Sequence, residues 1–275
     1  MTEREREYVL GTGADELSRL AVQHRLWSDA ATAAWKSAGI QPGQRVLDVG
    51  CGPGFASFDL AQMVTSSGAV VAVDESTSFI DYAKEQGQAR RLPWLRGTVG
   101  DVQKLGAALA GEAPFDLAYA RWVLCFVPDP AAVVRGVADS LKPGGVFVVH
   151  DYFNYGAMTT APRSESHDHA VQATIRSWRD KGGDPDIVGR LPQMLVTSGF
   201  RIESIVPHNR IARGSDAMFT WVHLWWHTFA PKLVGMGLLS AYDCEQLFAD
   251  LRAIKQGSTG FVQCPVVYEV IARKL

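Results

Sequence analysis

Short apolar, β-branched runs alternate with helix-like stretches through most of the chain. The runs that predict strands are residues 45–49, 69–73, 94–97, 115–120, 146–150, 200–206 and 266–273. The segments with apolar positions at helical spacing, which separate the first five strands, are residues 55–64, 76–86, 102–110 and 131–141. Because strands that alternate with crossover helices form parallel sheets, we predict an α/β fold with a doubly wound sheet covered on both faces.

Three segments lie outside this alternation. Residues 14–38 predict one or two helices ahead of the first strand. Residues 151–199 and 207–260 are longer than ordinary crossovers and should hold extra helices. We therefore expect an N-terminal helical region at 1–44, followed by a main domain at 45–275 that carries a helical cap at about 207–260.

Composition and charge narrow the class of protein. The 275 residues are 47% hydrophobic, which is enough to bury the core of one large domain. A formal net charge of −2 gives no chain-wide basic field, so we expect no nucleic-acid partner. The charges of "MTEREREYVL" argue against a secretory signal, and the charged and polar groups in the aromatic segment from Phe219 argue against a membrane span. Four well-separated cysteines predict neither disulfides nor a zinc cluster and favour the cytoplasm.

A glycine-rich turn, "RVLDVGCGPGFAS", follows the first predicted strand. In an open parallel sheet the first strand-to-helix turn is a usual place for a ligand, and Gly50, Gly52 and Gly54 lie in it. A dinucleotide fingerprint would have a glycine where this chain has Phe55, and a P-loop would end in Gly-Lys-Ser/Thr. The turn therefore predicts a nucleotide ligand of another kind.

Acidic residues near the turn indicate which ligand it holds. A carboxylate at Asp48 would repel a pyrophosphate and attract an ammonium or sulfonium group. Asp74 and Glu75 end the second strand, where a carboxylate can accept the ribose hydroxyls. Asp101 follows the third strand and could accept from an adenine amino group. Adenine, ribose and a cationic tail without phosphates describe S-adenosylmethionine.

The successive motifs also resemble a known family. "VLDVGCGPG", "VVAVDES", "GTVGDV", "FDLAYARWVLCFVPDP" and "LKPGGVFVVHD" are similar to the motifs of class I S-adenosylmethionine-dependent methyltransferases of the ubiquinone-biosynthesis-like, small-molecule group. The resemblance covers about residues 8–151, and "VVYEVIARKL" resembles the final strand of the family. It implies a Rossmann-like, seven-stranded sheet whose last strand is antiparallel.

The resemblance also implies roles for individual residues. The expected cofactor-binding residues are Asp48, Gly50, Cys51, Gly52, Gly54, Asp74, Glu75, Asp101, Val102, Arg121 and Trp122. Among these, Asp48 and the turn should meet the methionine portion, Asp74 the ribose, and Asp101 with the Val102 backbone the adenine. The N-terminal helices, with Tyr8, Gln23, His24 and Trp27, are expected to fold over the cofactor as a lid.

Candidate catalytic residues are His150, Asp151 and Tyr152, which leave the fifth strand, and His223. Methyl transfer from a sulfonium needs a base only when the acceptor must lose a proton, and His150 also fits a packed strand end. His223 and His227 have helical i, i+4 spacing but no third ligand motif, so the sequence predicts no metal. The polar stretch around His167 is likewise interpreted as a solvated loop or helix start and not as a metal site.

The second substrate is expected under the cap. The predicted substrate-binding residues are Trp221, Trp225, Trp226 and His227, although core packing or a dimer contact would explain the same aromatic cluster. The resulting prediction is methyl transfer to a small apolar or aromatic secondary metabolite by a cytoplasmic monomer or homodimer. The alternative is a fold member that binds S-adenosylmethionine but catalyses a cyclisation or rearrangement. A nicotinamide oxidoreductase is disfavoured by Phe55 and Asp48.

Overall fold

A computed structural model describes residues 13–275. Its strands are β1 (Arg45–Val49), β2 (Ala69–Asp74), β3 (Leu95–Val99), β4 (Phe115–Arg121), β5 (Leu141–Tyr152), β6 (Thr159–Ala161), β7 (Phe200–His208), β8 (Ile211–Arg213), β9 (Phe261–Gln263) and β10 (Val267–Lys274). Its helices are α1 (Ala14–Ser37), α2 (Phe55–Val64), α3 (Thr77–Ala89), α4 (Leu105–Ala108), α5 (Pro130–Ser140), α6 (Glu165–Arg179), α7 (Leu191–Thr197), α8 (Ala217–Gly235) and α9 (Ala241–Gln256).

The main sheet confirms the predicted fold class. Its seven strands lie in the order β3-β2-β1-β4-β5-β10-β7. The first five strands along the chain are parallel, and β10 runs antiparallel to both of its neighbours. The predicted antiparallel last strand is therefore correct. One predicted helix does not form as a continuous helix. Segment 102–110 instead forms a 3-10 turn at Val102–Lys104, followed by the single turn of α4.

The strand order places a crevice beside β1. The chain moves outwards from β1 to β2 and β3 on one side, and β4 and β5 lie on the other side. The switch in order is therefore between β1 and β4, where loops on opposite faces separate. In register, Val49 pairs with Val73, and Asp74 pairs with Val99, so the segments that follow these strands meet at one edge of the sheet.

The connections after β5 and β7 build a second layer that the sequence predicted only in outline. Helices α8 and α9 fall within residues 207–260, and α6 from the preceding connection packs against both of them. A small antiparallel sheet, β6-β9-β8, was not predicted. Its strands have three residues each, which is too short for a clear alternation of apolar and polar positions.

Helix α1 joins the two layers. Trp27 is buried with the cluster that continues into α8, whereas Trp35 is buried against the strands near α2. Residues 1–12 of the expected lid, including Tyr8, lie outside the described part of the chain. Within residues 13–275, no helix has the length and apolar character needed to cross a membrane.

Candidate functional site

The glycine turn after β1 has backbone geometry that restricts its sequence. Gly50 has a φ of +66°, and a Cβ there would lie 2.5 Å from Cγ2 of Val123. The backbone N–H groups of Gly50 and Cys51 both donate to the carbonyl of Val73, at 2.8 and 3.0 Å. A positive φ and a tight approach both favour glycine, so the turn is held close to β2 and β4.

Asp74 joins this turn to the end of β2. One carboxylate oxygen accepts from the backbone N–H of Gly52 at 2.8 Å, and the other accepts from that of Ser76 at 2.9 Å. Burial raises the pKa of Asp74, and the two N–H donors oppose that shift. The carboxylate is thus fixed in place beside the turn, with lone pairs remaining for a ligand.

A cavity of about 630 Å³ opens at this edge of the sheet. One end of the cavity is lined by residues from the turn and from the segments after β2, β3 and β4. They include Gly50, Cys51, Gly52, Asp74, Glu75, Asp101, Val102, Arg121 and Trp122, which are the predicted cofactor residues apart from Asp48 and Gly54. The structure therefore brings together residues that are up to 72 positions apart in the sequence.

Asp48 lies elsewhere, which corrects the expectation that it faces the ligand. Its side chain is buried and accepts a hydrogen bond from the Ser57 hydroxyl at 2.5 Å. Burial raises the pKa of Asp48 to about 6. Because Ser57 is on α2, the carboxylate is turned towards that helix and lies behind the turn rather than in the cavity wall.

Arg121 connects the cofactor end of the cavity to α1. Its Nη2 donates to Nδ1 of His24 at 3.0 Å, and Nε2 of the same ring donates to Asp59 at 3.0 Å. This arrangement needs a neutral imidazole with its proton on Nε2. Burial lowers the pKa of His24, and this favours the neutral form.

Aromatic side chains line the other end of the cavity, and Trp122 lies where the two ends meet. Trp122 has a left-handed backbone with a φ of +53°, and its ring stacks between Tyr152 and Trp221, with centroids 6.1 Å from each. Further lining residues there are Phe126, Tyr155, Met158, Trp178, Val222 and Trp225. Such a wall favours a flat, largely apolar ligand.

Helices α1 and α8 meet over this aromatic end. The side-chain oxygen of Gln23 accepts from the indole N–H of Trp221 at 2.9 Å and from Arg19 at 3.0 Å. Both Arg19 and Gln23 line the cavity. The hydrogen bonds therefore close the space above the aromatic rings with residues from the first helix.

Of the predicted catalytic residues, Tyr152 alone lines the cavity. Asp151 is fully buried and accepts from the backbone of Tyr152 and Cys125, and burial raises its pKa to about 6. His150 is 1% exposed and lies beside Glu269. His223 is half-buried on α8, outside the cavity wall.

The predicted substrate residues divide by helix face. Trp221 and Trp225 line the cavity, one turn apart. Trp226 is fully buried on the other side of α8, against His167. His227 is exposed and stacks on Phe248 with centroids 4.5 Å apart.

Sequence reasoning missed the aromatic residues from the connection after β5. Tyr155 and Trp178 pack together at 5.0 Å and line the cavity beside Tyr152. Phe55, which in the sequence only argues against a dinucleotide, also lines it. Tyr155 follows the predicted Tyr152 closely, and that short spacing is the one signal that could have found it.

Comparison with known proteins adds independent information. Residues 40–196, more than half of the chain, match the family model described as a methyltransferase domain. The 2-phytyl-1,4-naphtoquinone methyltransferase of Synechococcus elongatus is 35% identical over 132 residues, which are 46% of this chain and 53% of that protein. The ubiquinone biosynthesis O-methyltransferase of Xanthomonas axonopodis pv. citri is 35% identical over 149 residues, covering 47% of this chain and 57% of that protein.

The chain thus spans only a little over half the length of each of these two relatives. Among solved structures, the cyclase SpnF superposes with a TM-score of 0.55 and 17% identity, covering 90% of this chain and 80% of that one. This likeness concerns the fold alone. The family match, the sheet order and the turn after β1 agree, and the chain belongs to the methyltransferase domain family of class I, whose cofactor is S-adenosylmethionine.

Proposed function

We propose that this protein transfers a methyl group from S-adenosylmethionine to a small, apolar or aromatic acceptor. The observation that carries the proposal is one continuous cavity with two unlike ends. One end has a glycine turn and carboxylates, and the other has stacked aromatic rings. Two ligands of different chemistry can therefore meet inside a single space, as group transfer requires.

The residues present fit the cofactor. Gly52 has a φ of +53° and lines the cavity, and a Cβ there would meet no atom within 4 Å, so the backbone leaves room for a ligand. Asp74 and Glu75 would hold the ribose, and Asp101 would accept from the adenine amino group. When bound, the cofactor supplies an electrophilic methyl group on a positively charged sulfur.

The acids at this end carry the electrostatic part of the proposal. Asp74, Glu75 and Asp101 are the carboxylates that line the cavity within residues 13–275. Because Arg19, Arg121 and Lys181 also line the cavity, the preference for a cationic group without phosphates is local and applies beside the turn, where Asp74 and Glu75 lie. The hydrogen bond from Ser57 keeps the carboxylate of Asp48 behind the turn. From there Asp48 would add negative charge to this end of the cavity without touching the ligand.

Catalysis in this proposal comes from orientation and exclusion of water. Histidine is absent from the cavity wall within the described residues, and the carboxylates there belong to the cofactor end. Burial raises the pKa of Tyr152, so its hydroxyl stays protonated at neutral pH and can donate a hydrogen bond that orients the acceptor. The acceptor then supplies its own nucleophile, either an amine lone pair or a hydroxyl that has lost its proton to solvent before water is excluded. His150, Asp151 and His223 lie outside the cavity wall and do not touch it.

We place the acceptor against Trp122, Trp221 and Trp225. The apolar wall and the two quinone-related names among the relatives support a flat, oxygenated ring or an isoprenoid-bearing ring. Residues 1–44 would serve as the lid and residues at about 207–260 as the cap. The hydrogen bond between Gln23 and Trp221 supports this pairing of lid and cap.

The cellular setting follows as part of the same proposal. We infer a cytoplasmic enzyme of secondary metabolism that works as a monomer or homodimer and has no nucleic-acid partner. Support comes from the net charge of −2 and from the four cysteines, Cys51, Cys125, Cys244 and Cys264, which are unpaired.

The test is a panel of quinols, catechols, indoles and amines incubated with labelled S-adenosylmethionine. The proposal expects S-adenosylhomocysteine in proportion to methylated product. Product formed without S-adenosylhomocysteine would favour the cyclisation or rearrangement alternative, which is the class of reaction named for SpnF. Failure to bind S-adenosylhomocysteine in calorimetry would overturn both.

A further inference from the structure

A polar cluster lies on three strands beside the cavity and is used by none of the chemistry above. His150 lies two residues before the end of β5, Glu269 lies on β10, and His208 ends β7. Glu269 is the direct cross-strand partner of His150, and His208 is paired with Val267, two residues away from Glu269 on the same face of β10. The three side chains therefore project from a rigid part of the sheet towards one point.

The separations between the ligand atoms match those around a small metal ion. Nε2 of His208 donates a hydrogen bond to an oxygen of Glu269 at 3.1 Å, and Nε2 of His150 is 3.6 Å from the same oxygen. A bound metal ion would take the place of this hydrogen bond. One ligand atom from each residue lies within 4.8 Å of the other two. Tetrahedral zinc, with bonds of about 2.0–2.2 Å, places its ligands roughly 3.4 Å apart.

His150 provides a second, independent observation. It is 1% exposed, and neither ring nitrogen has a hydrogen-bond partner among residues 13–275. Buried polar groups in folded proteins are nearly always satisfied, by protein, water or ion. A neutral imidazole has one ring nitrogen with a lone pair that can bind a metal.

Neighbouring groups define what the cluster can hold. The rings of Tyr119 and Trp27 close it on two sides, at 5.8 Å from His150 and 6.4 Å from His208. Arg121 lies near enough for its positive charge to lower the pKa of His150, which opposes a bound cation. The negative charge of Glu269 is therefore essential to any cation site here.

We propose that His150, His208 and Glu269 bind one divalent transition-metal ion of the zinc type. Imidazole nitrogens with one carboxylate suit this class of ion, and the partly exposed edge at His208 leaves a fourth position for water. The ion would join β5, β10 and β7 directly behind the acceptor wall, since Tyr152 follows His150 by two residues and the carbonyl of His150 accepts from the Trp122 backbone at 2.8 Å. The proposal does not depend on the reaction of the enzyme.

The experiment uses the full chain without an affinity tag, stripped with a chelator and titrated with Zn²⁺ and Co²⁺. We expect one equivalent to bind, the strong visible absorption of tetrahedral Co²⁺, and a higher melting temperature with Zn²⁺. H208Q and E269Q should bind at least tenfold more weakly and should lose the zinc-dependent rise in melting temperature. Binding of S-adenosylhomocysteine, measured in parallel, reports separately on the cofactor site.

The matched control is H223Q. His223 and His227 form a second histidine pair on α8, with ring centroids 4.1 Å apart, which could bind added metal at the surface. Binding should survive in H223Q. Absence of stoichiometric binding in the wild type, binding that persists in both H208Q and E269Q, or binding lost in H223Q would each overturn the proposal. H208Q keeps the test valid if E269Q fails to fold, because His208 is partly exposed whereas Glu269 is buried.

Discussion

The guanidinium of Arg121 donates to Nδ1 of His24 at 3.0 Å and thereby ties the first helix to the end of β4. The same imidazole donates to Asp59 on α2. A protonated ring would carry a hydrogen on Nδ1 and a charge of the same sign as Arg121, so protonation breaks the contact. The attachment of α1 to the cofactor end is therefore sensitive to the charge of one histidine.

Replacing His24 with glutamine should remove this sensitivity. Burial lowers the pKa of His24, so the contact is intact at pH 7 and is lost only as the pH falls below the usual histidine value of about 6.5. We expect the dissociation constant for S-adenosylhomocysteine to rise roughly tenfold between pH 7 and pH 5 in the wild type and clearly less in H24Q. Calorimetry at several pH values measures both slopes, and equal slopes would contradict the role of His24.

Asp74 gives a prediction about affinity. Its carboxylate fixes the turn through the N–H of Gly52 and should also meet the ligand, so D74A removes charge-assisted hydrogen bonds worth about 1.5–3 kcal/mol each. Affinity for S-adenosylhomocysteine should fall at least tenfold. The control is D139A, on the exposed face of α5, which should leave affinity and circular dichroism unchanged. Wild-type affinity in D74A would remove the ribose assignment.

Substitutions at two glycines of the turn should distinguish an effect on stability from an effect on ligand binding. In G50A the new methyl group would lie 2.5 Å from Val123, and the left-handed backbone adds about 1–2 kcal/mol of strain. G52A has the same backbone penalty, but its methyl group enters open cavity. We expect G50A to lose clearly more unfolding free energy than G52A, and a folded G52A to lose affinity for S-adenosylhomocysteine. Denaturant unfolding and calorimetry provide the two readouts, and a G52A protein of normal affinity would show that the ligand lies elsewhere.

Trp225 and Trp226 are adjacent, but replacing them with alanine should change different properties. W226A should lower the stability of the fold, and W225A should weaken binding of the acceptor. Trp226 is fully buried, so W226A should cost about 3–5 kcal/mol of unfolding free energy. Trp225 lines the cavity and is half-buried, so W225A should fold and raise the KM for an aromatic acceptor roughly tenfold, without weakening S-adenosylhomocysteine binding. Steady-state kinetics on an acceptor from the panel checks this. An unchanged KM would place the acceptor away from α8.

The features that could be predicted from the sequence are those in which short-range pattern and chain topology agree. Strand β1 and helix α2 have the predicted bounds, since a β-branched run, a glycine turn and a helical period follow one another directly. Asp74 and Asp101 were located because parallel strands end at one edge of the sheet. These inferences need only the order of elements, which the sequence carries.

Contacts between distant strands and helix faces could not be predicted. The orientation of Asp48 depends on Ser57, and the choice between Trp225 and Trp226 depends on how α8 is rotated against the sheet. His150, His208 and Glu269 are 58 and 61 positions apart, and only the pairing of β10 with β5 and β7 brings them together. No motif spacing reports such a cluster.

His167 gives a prediction about acid stability. The sequence placed it in a solvated stretch, but the structure buries it fully on α6 against Trp226, and burial lowers its pKa to about 4. His167 therefore binds a proton near pH 6.5 in the unfolded chain but only near pH 4 in the folded chain. The free energy of unfolding falls as the pH drops through this window. The loss is about 3 kcal/mol across the window.

In H167L this loss should disappear, because leucine does not titrate and neither nitrogen of His167 has a hydrogen-bond partner within residues 13–275. Q172A, which changes an exposed residue of α6 that does not titrate, should keep the wild-type slope in urea unfolding followed from pH 7 to pH 4. A slope in H167L equal to that of the wild type would assign the acid sensitivity to other groups.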